Sequence, residues 1–196
     1  MNGRVIRFPR AEETPATKND EVLLAACASG DADALDQLFE RHRLSVTRYL
    51  SRMLGAGAEL EDLVQATFLE AWRGAARFQG RASVRSWLLG IANNLFRHHV
   101  RSELRKRTAL HLLAAHPSSE RALPDEEASR RELIRRVEAA LLELPHNLRS
   151  TFVLCELEEV PREEAAEILG VSLGSIGRRV HEARKAIREA IEKELS

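Results

Sequence analysis

Apolar residues recur along this chain at intervals of three and four, and strand-like alternation never lasts more than about four residues, which predicts helices and no sheet. Asp20 and Asp31 each precede an apolar-periodic stretch, and a short carboxylate there can accept the unpaired amide hydrogens of a first helical turn. A short helix over 20–28 and a long one over 31–54 follow, the second carrying Leu35, Leu38, Phe39, Val46, Tyr49, Leu50 and Met53 inward before Gly55 and Gly57 end it. A third helix, 59–75, puts Leu60, Leu63, Val64, Phe68, Ala71 and Trp72 on one stripe and leaves Glu59, Glu61, Asp62, Gln65 and Glu70 off it. After a loop over 77–83, Ser83 caps a fourth helix with a core stripe of Val84, Trp87, Leu88, Ile91 and Leu95. Ser86, Asn93, Arg97 and Arg101 fall together on its opposite face.

Between His111 and Glu127 the periodicity dissolves into Ala, His, Ser, two prolines and the acidic run Asp125-Glu126-Glu127, which marks a linker. Helical spacing resumes over 129–144, continues over 146–157 after Pro145, passes through a short helix opened by Pro161 and broken by Gly170, and closes with a long helix over 173–195. The fold class is therefore all-α, as two small helical domains joined by a flexible linker. The expected divisions are a flexible lead over 1–19, a first domain over 20–110, the linker over 111–128 and a second domain over 129–196.

Composition changes this picture little, but charge changes it more. The chain of 196 residues carries 30 basic and 30 acidic side chains, so it is not a simple basic coat for nucleic acid. Its charge is polarised locally, however. Arg85, Arg97, Arg101, Arg105, Lys106 and Arg107 face a single acid, Glu103; Arg178, Arg179, Arg184, Lys185 and Arg188 face only Glu182; and 145–170 is acidic. No apolar run approaches the roughly 20 residues of a membrane span, and Met1 to Arg10 has no signal-peptide character, so a cytoplasmic protein without membrane insertion is expected. Cys27 and Cys155 lie far apart within apolar helical patterns and read as buried free thiols.

The strongest local motif runs from Glu163 to Val180. Ala166 is a small residue where two helices could cross, Gly170 frees the turn, Val171 is the apolar residue after it, and Ile176 and Val180 anchor a second helix, together the requirements of a tight helix-turn-helix. With Ile176, Val180, Ala183 and Ile187 inward, the side chains of Ser175, Arg178, Arg179, His181, Glu182 and Lys185 lie off the core and could meet DNA in the major groove. The alternative is a helical hairpin with a merely solvated basic face. The first basic patch pairs Asn93, Arg97 and Arg101 with a loop suited to an unpaired base, and single strands are held by such charge plus stacking platforms. Among its aromatics, Trp72 and Trp87 sit on core stripes and favour packing, whereas Phe78 is open to either role. The seven histidines form no metal spacing with the cysteines, and neither a phosphate loop nor a nucleophile motif is present, so no catalytic residue, cofactor or metal is expected.

The segment Leu60-Glu61-Asp62-Leu63-Val64-Gln65-Ala66-Thr67-Phe68-Leu69-Glu70-Ala71-Trp72, then Arg77-Phe78-Gln79-Gly80, then Trp87 to Leu95, closely resembles region 2 of the extracytoplasmic-function (ECF) group of the sigma-70 family of bacterial RNA polymerase sigma factors. Leu144-Pro145, the helix-turn-helix and Arg178 to Arg184 resemble region 4, and the two regions occur in the family's order. The resemblance implies a non-enzymatic subunit that directs core polymerase to promoters. Asp62, Gln65 and Phe68 match an Asp-x-x-Gln-x-x-Phe pattern that docks on the clamp helices of the largest subunit, although Phe68 is better placed to fix the helix in its own domain. Arg77, Phe78, Gln79, Arg81, Asn93, Asn94, Arg97 and Arg101 are the implied contacts to the minus-ten element. Ser172, Ser175, Arg178, Arg179, His181, Arg184 and Lys185 are those to the minus-thirty-five element, with the polymerase flap and an anti-sigma protein as further expected partners. Gly177 and Glu182 depart from the family pattern, which favours basic residues there, as Asn93 departs from a common Arg. The competing reading is an autonomous helix-turn-helix regulator, but it gives the segment from Asp62 to Trp72 no purpose.

Overall fold

The computed structural model describes residues 15–55, 59–109 and 126–194, and every regular element among them is helical. Helices α1 (Pro15–Ala28), α2 (Ala32–Leu54), α3 (Glu59–Gly74) and α4 (Val84–Ala109) form the first domain, with one 3₁₀ turn, Ala75–Arg77, after α3. Helices α5 (Glu126–Glu143), α6 (His146–Phe152), α7 (Arg162–Leu169) and α8 (Leu173–Glu194) form the second. Between α6 and α7 lies a single π turn, Val153–Leu157. The flexible lead and the linker fall mainly on residues outside those described.

Local signals place most helix ends. Asp31 accepts from the amides of Asp33 and Ala34, at 3.0 and 3.3 Å, and starts α2 as its N-cap. Ser83 accepts from the Ser86 amide at 3.1 Å and starts α4. Gly55, at φ 79°, ends α2 in a conformation that side chains resist. Asp20 corrects the expectation: it lies inside α1, which begins at Pro15, and is no cap. Its carboxylate instead reaches α2, accepting from Arg41 at 2.9 Å and meeting His42 Nε2 at 2.9 Å. A buried acid in mid-helix is tolerated because both its oxygens are paired.

The first core joins Leu23, Leu24 and Cys27 of α1, Leu38, Val46, Tyr49, Leu50 and Met53 of α2, Leu63, Val64, Phe68 and Ala71 of α3, and Val84, Leu88, Leu89, Ala92 and Phe96 of α4. Trp87, Ile91 and Leu95, expected at the centre of the α4 stripe, lie at its margin, half-buried. The stripe is rotated toward Leu89, Ala92 and Phe96. The second core is built by Ala140, Leu141, Leu144, Val153, Leu154, Val160, Ala165, Ile176, Val180, Ala183 and Ile187. The two domains pack against each other, α4 on α7 and α2 on α5, with the π turn against α2.

Candidate nucleic-acid interface

The loop between α3 and α4 and the adjoining face of α4 form one side of a cavity of about 310 Å³, through Arg77, Phe78, Gln79, Arg81, Ala82, Trp87, Gly90, Ile91 and Asn94, and Glu164, Glu167 and Ile168 of α7 form the other. Phe78 packs edge-on against Trp87, ring centres 5.3 Å apart, so one aromatic braces the other and both edges the cavity. Arg77, Gln79, Arg81 and Asn94 are exposed. This is a concave surface with cations, amides and a ring edge, suited to an unstacked base.

Two residues of the expected minus-ten set behave differently. Asn93 is completely buried, and the Tyr49 hydroxyl donates to its Oδ1 at 3.0 Å. Burial also pushes the Tyr49 phenol up, away from ionisation. Asn93 is therefore a core bridge between α2 and α4 and has no surface for a DNA strand. The rotation of the α4 stripe is the physical reason. Arg97 is half-buried beside α6, where it, Arg149 and Arg101 add to burial in holding the His146 imidazole below its ordinary range. His146 stacks on Phe96, ring centres 5.2 Å apart.

The second patch is a helix-turn-helix. Gly170 takes φ 64°, and the amides of Gly170 and Val171 bond to the carbonyls of Glu167 and Ala166 at 3.2 and 3.0 Å, which stops α7 and turns the chain. Ala165 is the fully buried small residue, one place before the expected Ala166, which is half-buried. Ile176, Val180, Ala183 and Ile187 face inward as expected. Ser172 caps α8 by accepting from the Ser175 amide at 3.3 Å, and the two hydroxyls lie 2.9 Å apart.

Arg178, His181, Arg184 and Lys185 are exposed on α8, and Arg179 is half-buried. Acids offset part of this charge: Glu182 lies 3.8 Å from Arg178, Glu189 lies 3.7 Å from Lys185, and Glu156 pairs with Arg184. Gly177 sits mid-helix with open space around the position of a Cβ. Gly177→Ala should accordingly stabilise the second domain by about 0.5–1 kcal/mol, because glycine has the higher backbone entropy to lose. Thermal melts of the two chains check this, and an unchanged or lower midpoint contradicts it.

On α3, Asp62 and Gln65 are exposed, whereas Phe68 is buried against Phe39 with ring centres 4.8 Å apart. Phe68 thus positions the helix and is itself closed to a partner. Leu69 lies four residues beyond Gln65 on the same face and is 47% exposed, a position the sequence reading passed over. The signal was available, since Leu69 lies off the apolar stripe that defines the core side of α3.

Comparison with known proteins finds one family match in each domain. Residues 38–106 match the family model for sigma-70 region 2, and residues 134–187 match that for sigma-70 region 4. The ECF RNA polymerase sigma factor SigE of Mycolicibacterium smegmatis is 32% identical over 86% of this chain and 67% of its own length. RNA polymerase sigma factor CarQ of Myxococcus xanthus is 34% identical over 83% of this chain and 91% of its own. Among solved structures, CnrH in complex with the cytosolic domain of CnrY superimposes with a TM-score of 0.67 at 27% identity, covering 89% of this chain and 98% of that one.

The two family matches and these relatives place the chain among two-domain transcription initiation factors of the sigma-70 type. More narrowly, the chain belongs to the ECF group of RNA polymerase sigma factors, which initiate transcription without catalysing a reaction.

Proposed function

We propose that this chain docks on core RNA polymerase through the exposed face of α3, captures the minus-ten element at the loop and face of α4, and reads the minus-thirty-five element with α8. Asp62 and Gln65 offer polar groups to the charged clamp helices of the largest subunit, and Leu69 adds an apolar contact beside them. Arg77, Phe78, Gln79, Arg81 and Asn94 hold the displaced non-template strand, with Arg97 and Arg101 tracking its phosphates. Ser172, Ser175, Arg178, Arg179, His181, Arg184 and Lys185 face the upstream duplex, and the second domain meets the polymerase flap. The functional units are the two domains expected over 20–110 and 129–196, although α1 and α5 begin earlier, at Pro15 and Glu126, and the acidic run where the linker meets α5 suits a basic RNA path.

The observation that carries this reading is the pairing, in one chain, of an aromatic-edged loop beside a basic helix with a helix-turn-helix. A duplex-reading repressor has no use for such a loop. A neutral chain with two small cationic patches gains little from counterion release, so free duplex should bind weakly and polymerase supplies the remaining affinity. No described helix is long and apolar enough to cross a membrane, in keeping with a cytoplasmic site of action. An anti-sigma protein covering both DNA-facing surfaces is the expected regulator.

Footprints of the polymerase complex separate the two surfaces. Arg97→Ala with Arg101→Ala should reduce strand opening at the minus-ten element and leave upstream protection in place. Arg178→Ala with Arg179→Ala should weaken upstream protection. Footprints unchanged by all four substitutions contradict the assignment.

A further inference from the structure

Residues 173–188 of α8 carry a single acid, Glu182, among the cations Arg178, Arg179, Arg184, Lys185 and Arg188. At about 100° per residue, Gly174, Arg178 and Glu182 follow one another along the side of the helix opposite the buried Ile176, Val180, Ala183 and Ile187. The Arg178 and Glu182 side chains are 71% and 50% exposed, and Arg178 Nε lies 3.8 Å from Glu182 Oε1. That gap is too long for a hydrogen bond, so each group keeps its capacity for a further partner. Arg184, by contrast, donates to Glu156 of the π turn.

The backbone beside this pair is bare. A Cβ at Gly174 or at Gly177 would meet nothing within 4 Å. With no side chain at either place, the first turns of α8 can approach a surface closely, and a side chain as short as glutamate reaches what lies there.

On a helix that faces phosphates a carboxylate is repelled, so its partner must be sought among the base edges. An ionised glutamate only accepts hydrogen bonds. In the major groove the donors are the amino groups of cytosine and adenine, whereas guanine N7 and O6 and thymine O4 are acceptors. Adenine sets its own acceptor, N7, beside its amino group, and cytosine has no such neighbour. A carboxylate therefore selects cytosine and rejects guanine and thymine. Arg178 has the complementary requirement, since a guanidinium only donates and its match is the N7 and O6 edge of guanine. The two charged heads are 3.8 Å apart, close to the step of about 3.4 Å between stacked base pairs, so the couple fits a guanine and a cytosine of the same or of adjoining pairs.

We propose that Glu182 is a specificity-determining residue of α8, accepting from the amino group of one cytosine in the minus-thirty-five element while Arg178 beside it donates to a guanine. The inference rests on the assignment of α8 to the upstream duplex and adds to it the identity of the base that one side chain reads. On other sequences the same carboxylate faces acceptor edges and phosphates without a partner, so selectivity comes from rejection as much as from contact.

The test uses the full chain bound to core polymerase and offered promoter duplexes randomised through the upstream element, with the bound DNA sequenced. The wild-type complex should retain cytosine at one position about tenfold over guanine or thymine. Glu182→Gln should move the preference at that position alone to adenine, whose N6 and N7 an amide pairs together. Glu182→Ala should lose the preference there, keep those at other positions, and bind non-cognate duplex at least as tightly as wild type. Glu189→Gln removes the same charge farther along the helix and should select the wild-type sequence. An ion pair that served only to support the helix would alter affinity for all sequences alike and could not exchange one base for another. Wild-type sequence selection by both Glu182 variants overturns the inference, as does a uniform loss of affinity with the base preferences unchanged. A wild-type complex that selects no upstream sequence removes the assignment of α8 itself, whereas upstream selection indifferent to position 182 removes only the role of Glu182.

Discussion

Replacing Asp62 and Gln65 together by alanine is expected to cut association with core polymerase at least about tenfold, which corresponds to roughly 1.4 kcal/mol. Both side chains are exposed on α3 and make no contribution to the first core. Surface substitutions of this kind usually change folding stability by no more than about 0.5 kcal/mol. Asp62 does lie in the first turn of α3, where a negative charge favours the helix, so its loss could cost the fold about 0.3–1 kcal/mol. Asp62→Asn with Gln65→Ala removes the same charge but keeps a polar side chain, and separates helix stability from recognition. Co-purification with core polymerase measures the effect, alongside thermal melts. Wild-type recovery of polymerase by a folded double variant contradicts a docking role for this face.

The second large effect is structural. Ile176 is completely buried where α8 crosses α7, and Ile176→Ala should cost about 2–5 kcal/mol through lost transfer energy and the cavity left behind. A single core as small as that of the second domain supplies no more than about 3–5 kcal/mol. The substitution is therefore expected to unfold the second domain and leave the first standing, with minus-thirty-five recognition lost. Hydrogen exchange resolves the two: amides of α8 should lose protection while those of α2 and α4 keep theirs. Uniform protection across both domains in the variant would contradict this.

These expectations differ in how far they were legible from sequence. The helix-turn-helix was readable because its requirements are local: a small residue, a glycine in the left-handed region, and apolar residues three and four apart all fall between Glu163 and Val180. Asp31 and Ser83 were readable as caps for the same reason. Asp20 misled because a carboxylate before an apolar stretch signals a cap only if the helix starts there, and its partners Arg41 and His42 lie on another helix. Asn93 misled because periodicity fixes the spacing of a stripe better than its centre, and the α4 stripe is rotated enough to bury it. Glu158 was read only as part of an acidic segment. Its partners, Ser45, Arg52 and Arg85, are remote in sequence, and nothing near Glu158 announces that a π turn will aim it at them. Leu69 is the one site candidate that the helical pattern could have supplied, as a large apolar residue off the core stripe.

Two helical domains in one chain are proposed to redirect RNA polymerase by engaging a promoter at two separated elements. Run-off transcription with purified core polymerase over a library of promoter fragments, with and without this chain, tests it most directly. Transcripts should begin at new, defined positions when the chain is present, and those starts should depend on DNA sequence both near the start and upstream of it. Transcripts that begin at the same positions with and without the chain would show that it does not redirect the polymerase.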